Sequence, residues 1–408
     1  RSVSAFLLNR SSDLQSLLHL FSAGVKGDLL TLIDDLTKSG KIDAAGGMAY
    51  VSSLTDKVPT SANVDYYAKI VLDQSVRRSL IKISSEIKAE SFDETKESRM
   101  VLEEVEQKIF KLTDVNQSSR VLPMSDIIPE TIKLIDTRYK NKNSFSGIPS
   151  GFTDLDSMTS GFQNSEMIII GARPSMGKTA LALSMIQNIA IERKIPCGFF
   201  SLEMSRLQIG QRLLSQVARV QGTKLRNGML KIEDFKKLQD AGGECYDAPL
   251  YIVDVPNMKL LDLRAMARRM RVNQKVEIIF IDYIGLITSE NTDAPVYEQQ
   301  SAISKSLKSL ARELDIPIVV LCQVARTAEG NEPGLAELRG SGSIEQDADM
   351  VMFIHGDRNK NKSSNEGYDP VQDRKLIVAK QRNGPIGDVD VLFLSSYTKF
   401  ENKSKERE

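Results

Sequence analysis

Gly171-Ala172-Arg173-Pro174-Ser175-Met176-Gly177-Lys178-Thr179 follows the apolar run Met167 to Ile170 and precedes a helix-like run from Ala180 to Ile191. Strand, loop and helix in that order are the context a phosphate-binding loop requires. Successive backbone N–H groups of such a loop wrap around phosphates, and the N-terminus of the following helix adds partial positive charge. In this reading Lys178 reaches the β- and γ-phosphates, and the Thr179 hydroxyl ligates Mg2+. The nucleotide-contacting residues are Ala172, Arg173, Pro174, Ser175, Met176, Gly177, Lys178, Thr179 and Ala180. Ala172 stands where the first glycine of the common pattern falls, with Gly171 just before it. A Cβ restricts φ, so the turn must be one that tolerates it.

Hydrolysis needs more than a phosphate loop: an acidic group for the metal and a base that orients water. The run Ile278-Ile279-Phe280-Ile281-Asp282 ends a strand in a carboxylate, which serves either as the metal's partner or as the cap of the next turn. In doubly wound sheets ligands collect at the carboxyl ends of strands, so Asp282 would face the same cleft as Lys178 and Thr179. Phe199-Phe200-Ser201-Leu202-Glu203 ends another strand in Glu203. If that strand lies beside the phosphate-loop strand, Glu203 is the natural base for the attacking water; otherwise it complements the dipole of a helix starting near Ser205. Ile318 to Gln323 repeats the design with an amide, suited to sensing the γ-phosphate or to tying down a turn.

Two later segments carry cationic or flexible chemistry. Leu338 to Asp349 opens with Arg339, Gly340, Ser341 and Gly342, which offer a guanidinium and backbone N–H groups to a nucleic-acid backbone. A plain surface loop is the other reading. Lys380-Gln381-Arg382-Asn383-Gly384 lies between two strand-like runs, and Asn-Gly marks a tight turn. Its Lys380 and Arg382 are either a solvated hairpin tip or a finger that reaches the phosphate site of another subunit.

The rest of the chain sets the frame. Residues 1–112 read as helical, with Leu72, Val76, Leu80, Ile83 and Ile87 at helical spacing after the capping-rich turn Pro59 to Asn63. Leu102, Val105, Ile109 and Leu112 continue the pattern, with a charged hairpin turn from Ala89 to Arg99 between the two helices. Residues 113–146 form a connector in which Ile128, Ile132, Ile135 and Tyr139 make one apolar stripe, free to fold back or to dock on a neighbouring subunit. From residue 147 to 408, apolar strands alternate with helices: Met167–Ile170, Gly198–Leu202, Leu250–Val253, Glu277–Ile281, Ile316–Leu321, Met350–Ile354, Leu376–Ala379 and Val389–Leu394. Near-continuous Ile/Val runs of this kind argue a mostly parallel α/β sheet buried on both faces, with a late antiparallel extension.

Composition narrows the classes. At 408 residues, 41 % hydrophobic and 26 % charged, the chain is ordinary globular protein of two or three domains. The 54 basic residues balance the 54 acidic ones, so nucleic-acid contact must come from local loops. No apolar run approaches the roughly 20 residues of a membrane helix. The three cysteines, Cys197, Cys245 and Cys322, are widely spaced and fit a reducing, cytoplasmic setting. His19 and His355 cannot complete a zinc site with them. The chain begins at Arg1, so a piece before it is expected to be missing.

Taken in order, Gly171–Ala180, Phe200–Ser205, Ile279–Tyr283, Gln323, Leu338–Asp349 and Lys380–Asn383 resemble the DnaB family of replicative DNA helicases. Asp65-Tyr66-Tyr67-Ala68-Lys69-Ile70-Val71 is similar to the helical N-terminal domain of that family, and Ser341 to Asp349 is the most diagnostic run. The resemblance implies a RecA-like P-loop ATPase domain behind a separate all-α N-terminal domain. It further implies a homohexamer that hydrolyses ATP with Mg2+ and moves 5′ to 3′ along single-stranded DNA, working with a primase and a helicase loader. Carried over by residue, Lys178 and Thr179 hold phosphates and Mg2+, Glu203 activates water, and Asp282 supports the metal. Gln323 would couple nucleotide state to DNA, while Arg339, Gly340 and Gly342 would touch the DNA backbone. Lys380 and Arg382 would complete a neighbour's site. A recombination or repair ATPase and a slow nucleotide-gated assembly protein are the competing readings. The first leaves the helical N-terminal module unexplained, and the second expects little stimulation by DNA.

Overall fold

The computed structural model describes residues 12–20, 28–54, 64–93, most of 101–109, 123–140, 145–324, 332–338, 341–356 and 370–404, and the chain divides into two compact units, residues 1–118 and 119–408. In the first unit every described segment is helical. Helix Leu29–Lys38 opens on Asp28, whose carboxylate accepts from the Thr31 backbone N–H while the Thr31 hydroxyl accepts from that of Asp28. This reciprocal cap satisfies two donors that a helix start otherwise leaves unpaired. Leu32 and Leu36, one turn apart, close a small core with Leu20, Ala45 and Val51.

Helix Val64–Ser91 carries the expected stripe, with Val76, Ile83 and Ile87 half-buried and Leu80 exposed. It runs on to Ser91, so the hairpin turn expected from Ala89 begins later than its charged composition suggested. The legs of that hairpin meet: Lys108 donates to Glu90 at 2.7 Å and pairs with Glu86 at 3.3 Å. The capping turn at residues 59–63 lies outside the described residues.

The connector forms helix Met124–Lys140 with Pro129 inside it. Ile128, Ile132 and Ile135 stand on its surface at 44 %, 60 % and 57 % exposure.

Among its described residues the second unit has nine strands: β1 Met167–Ala172, β2 Cys197–Ser201, β3 Leu250–Val253, β4 Ile278–Asp282, β5 Ile318–Gln323, β6 Met350–His355, β7 Val371–Gln381, β8 Gly387–Leu394 and β9 Lys399–Asn402. They lie in the order β3-β2-β4-β5-β1-β6-β7-β8-β9. Pairing is parallel from β3 through β6 and antiparallel from β6 through β9. Every residue of β1, β2 and β4 is buried, as a parallel sheet covered on both faces demands. Helix Val296–Leu314 supplies one covering layer through Ile303, Leu307, Leu310 and Leu314, all buried.

Two features depart from the expectations. β9 was not legible, because its four residues alternate charge with a single inward Phe400. And β2 does not lie beside β1, since β4 and β5 stand between them. Of the cysteines, Cys197 and Cys322 are buried and Cys245 is half-buried. Burial pushes the Cys322 thiol up to about 11, and raises those of Cys197 and Cys245. Thiolates are the reactive form. Alkylation of the folded protein at neutral pH, followed by peptide mass spectrometry, is therefore expected to mark Cys245 slowly. Cys197 and Cys322 should react only after denaturation.

Candidate nucleotide site

β1 ends at Ala172, whose backbone pairs with Gln323 on one side and Ile354 on the other. An extended strand residue carries a Cβ without strain, so the alanine in the loop costs nothing. Gly171 is the position that cannot hold one: a Cβ there would lie 2.6 Å from the Phe353 ring. Ser175 takes φ +65 and Gly177 takes φ +97, turning the chain back into helix Lys178–Ile186, for which Gly177 is the N-cap. A Cβ on Gly177 would also lie 2.9 Å from the Phe400 ring of β9. Met176 turns its side chain into the core, 4 % exposed, and does not line the cavity that its neighbours rim.

The loop rims a cavity of about 410 Å³ that Lys178, Thr179, Ala180, Glu203 and Gln323 also line. Asp282 is fully buried beneath it; its carboxylate accepts from the Thr179 hydroxyl at 2.6 Å and pairs with Lys178 Nζ at 2.9 Å. Lys178 Nζ sits 3.9 Å from Glu203 and 3.9 Å above the centre of the Tyr283 ring. Cation–π contact and two carboxylates thus hold one ammonium in place. Glu203 reaches the site although β2 is not next to β1. The loop after β2 runs over β4, whose Asp282 carbonyl accepts from the Leu202 N–H. Helix Arg206–Ala218 then starts on a Ser205–Gln208 capping box.

Sequence reading missed two contributors. Arg212 lines this cavity and a second one of about 410 Å³ beside it, between helix Arg206–Ala218 and residues 395–398. Burial lowers its pKa, and the fields of Asp282 and Glu203 act the other way. Thr398 lines both cavities as well, brought there by the β8–β9 hairpin. Neither residue belongs to a motif, so no local signal could have found them.

The remaining candidates lie elsewhere. Arg339 and Gly340 fall outside the described residues, as does the Ser341 side chain. Ser341 to Asp347 forms a helix with Gly342 exposed, so from Ser341 onward the segment is not the plain surface loop of the other reading. Lys380 and Arg382 sit at the opposite edge of the sheet from the phosphate loop. β7 pairs Lys380 with Val351 and Gln381 with Met350, and Met350 lies level with Ile168 near the start of β1. Three residues of strand at roughly 3.3 Å each put Lys380 about 10 Å from the level of Ala172, and Arg382 lies farther still. Both are held by partners: Lys380 donates to the Glu345 and Ala348 carbonyls, and Arg382, on the exposed hairpin tip, pairs with Asp349. Burial lowers the Lys380 pKa.

No group of three or more His, Cys, Asp or Glu fit to hold a metal occurs among the described residues. The Thr179 hydroxyl and Asp282 suit Mg2+, which takes few protein ligands and fills its sphere with phosphate oxygens and water.

A phosphate loop, a buried strand-end aspartate and a glutamate meeting at the carboxyl edge of a parallel sheet define a P-loop ATPase. Comparison with known proteins gives the family. Residues 147–402 match the DnaB-like helicase C-terminal domain, and residues 14–73 match the DnaB-like helicase N-terminal domain. The chain belongs to the DnaB-like helicase family. It is 54 % identical to the replicative DNA helicase DnaB of Treponema pallidum over 96 % of this chain and 86 % of that protein. It is 40 % identical to that of Geobacillus stearothermophilus over 95 % and 85 %. Among solved structures, that of a DnaB-like replicative helicase described with its interactions with primase has a TM-score of 0.67 at 27 % identity, covering 95 % of this chain and 91 % of the other. A solved ATPase domain has a TM-score of 0.62 at 32 % identity, over 68 % and 99 %.

Gly177→Ala is expected to weaken nucleotide binding by at least about tenfold, because the strained φ and the Phe400 clash together exceed ~1.4 kcal/mol. Ala172→Gly should leave affinity nearly unchanged. Titration with a fluorescent nucleotide reads both.

Proposed function

We infer that this chain is a replicative DNA helicase, a ring-forming motor that couples ATP hydrolysis to 5′ to 3′ movement on single-stranded DNA. The observation that carries the reading is the split of the catalytic groups between the two edges of one sheet. Lys178, Thr179, Glu203, Asp282 and Gln323 gather at the carboxyl edge. Lys380 and Arg382 stand at the amino edge. Cations placed there serve a phosphate site only if that site belongs to another copy of the chain, and a ring of copies supplies one to every subunit.

The chemistry follows from the contacts. Lys178 and the loop N–H groups bind the β- and γ-phosphates, and Lys178 trades its pairing with Asp282 for phosphate oxygens. Thr179 and Asp282 would hold Mg2+, which would supply neutralisation of the charge that develops on those oxygens. Glu203, half-exposed and beside the cavity, accepts a proton from the attacking water. Gln323, at the end of β5, hydrogen-bonds the γ-phosphate; the next residue, Val324, is bridged to Leu338 at the start of the DNA-contacting segment. Arg339, Gly340, Ser341 and Gly342 contact the DNA backbone without reading bases. The cavity shared through Arg212 and Thr398 gives the base and ribose room.

Three working segments accompany this reading: a helical unit of residues 1–112 for partner contacts, a connector of 113–146, and a motor of 147–408. The exposed Ile128, Ile132 and Ile135 stripe is the face that docks on a neighbouring subunit of a homohexamer. A primase and a helicase loader are the partners of the helical unit. The described helices include none long and apolar enough to cross a membrane, and the reading places the protein in the cytoplasm.

Single-stranded DNA is expected to raise the ATPase rate, and Glu203→Gln to abolish turnover while sparing ATP binding. Rates unmoved by both DNA and the substitution would rule out the motor. A second measurement addresses the shared site. Rings mixed from Arg382→Ala and Lys178→Ala subunits should regain part of the ATPase that each variant lacks alone, since some interfaces then hold both groups; no recovery at any ratio would exclude action in trans.

A further inference from the structure

The cations of the amino edge are held by the same short segment that the reading above assigns to DNA. Asp349, 6 % exposed, follows helix Ser341–Asp347 and leads into β6. Its Oδ1 accepts from Arg382 Nη1 at 2.9 Å, and its backbone carbonyl accepts from the Arg382 N–H at 2.9 Å. Its Oδ2 accepts from Lys308 Nζ at 2.6 Å and from the Met167 N–H at 2.8 Å, which fastens it to helix Val296–Leu314 and to β1. Arg382 Nη2 donates to the Gln346 carbonyl, and Lys380 Nζ to the carbonyls of Glu345 and Ala348. Asn383 donates to Glu166 at 3.1 Å, so the hairpin backbone is anchored on its other side too.

We propose that Asp349 is the positioning residue for the trans-acting Arg382, seating it at the end of the DNA-contacting helix so that DNA held by one subunit sets the finger aimed at the next. The proposal rests on the reading of Arg382 as a finger in trans. A long flexible side chain left loose at a subunit edge samples many rotamers, and its immobilisation is the part of catalysis that positioning supplies. The carboxylate does this with one charge-assisted bond to the guanidinium, while Lys308 and the β1 backbone hold the carboxylate itself. At its other end the segment begins at Leu338, bridged to Val324 beside Gln323. The segment thus spans from the subunit's own γ-phosphate sensor to the finger that serves its neighbour. Lys178, Thr179 and Glu203 lie at the far edge of the sheet, so Asp349 touches neither nucleotide nor their side chains.

Asp349→Asn removes the charge at constant shape. In the intact hexamer with single-stranded DNA, kcat for ATP should fall on the order of 10²-fold, the cost of an ångström-scale misplacement, while KM for ATP stays unchanged. The decisive readout is complementation. Rings mixed from Asp349→Asn and Lys178→Ala subunits should regain ATPase, because the Asn variant keeps its own nucleotide site and borrows an intact finger. A variant that merely misfolds cannot be rescued this way. Arg382→Ala mixed with Lys178→Ala runs in parallel. Recovery there without recovery for Asp349→Asn would overturn the role of Asp349 and leave the finger standing. Recovery in neither would remove the finger itself, and wild-type kcat for Asp349→Asn would also overturn the proposal. Should the Asn variant fail to assemble, Asp349→Glu keeps the charge but shifts the guanidinium, and the same loss and the same rescue are expected of it.

Discussion

A fully buried carboxylate, Asp282, governs the nucleotide site. Removing an ion from water costs several kcal/mol unless partners replace the solvent, and stripping one partner from a buried pair typically costs about 3–5 kcal/mol. Lys178 and Thr179 are those partners, and both belong to the phosphate loop. The pairing therefore ties the loop across the sheet, from β1 to β4 with β5 between them. It also prepares the exchange on which the site works. In the proposed mechanism phosphate oxygens would give Lys178, and Mg2+ would give Asp282, a partner of opposite charge, so neither group need be left uncompensated when nucleotide binds.

The parallel arrangement of β1 to β6 sets what can meet at that carboxylate. Each of those strands delivers its last residue to the same edge, and Ala172, Asp282 and Gln323 arrive there from separate stretches of chain. The antiparallel extension does the opposite. β7 returns past β6 and so carries Lys380 and Arg382 to the amino edge, where the segment leading into β6 receives them. One change of strand direction separates Lys178, Thr179 and Asp282 at the carboxyl edge from Lys380 and Arg382 at the amino edge.

Much of this was legible in the chain. Gly177-Lys178-Thr179 between a strand and a helix defines a phosphate loop by chemistry alone, and Asp282 at the end of an Ile/Phe run is an unambiguous strand-end carboxylate. The apolar runs located eight of the nine strands among the described residues: β1 to β6 because parallel strands covered on both faces are largely apolar, and β7 and β8 because each keeps a short apolar stretch in an alternating strand. β9 escaped because an edge strand with one buried ring, Phe400, has no such run. Yet that ring makes glycine obligatory at position 177. The connector helix was visible from its isoleucine stripe, whereas Pro129 within it gave no warning that the helix would continue.

By itself the sequence determined the order of elements, the identity of the phosphate loop, and the residue types available for metal, water and DNA. These depend on local patterns: hydrophobic period, turn chemistry and the donors each side chain carries. Strand order, the reach of Glu203 over β4, the entry of Arg212 and Thr398, and the seating of Arg382 on Asp349 belong to the tertiary structure. They depend on which distant segments pack together. Residues 349 and 382 are neighbours only because β6 and β7 pair, and no pattern along the chain encodes that contact.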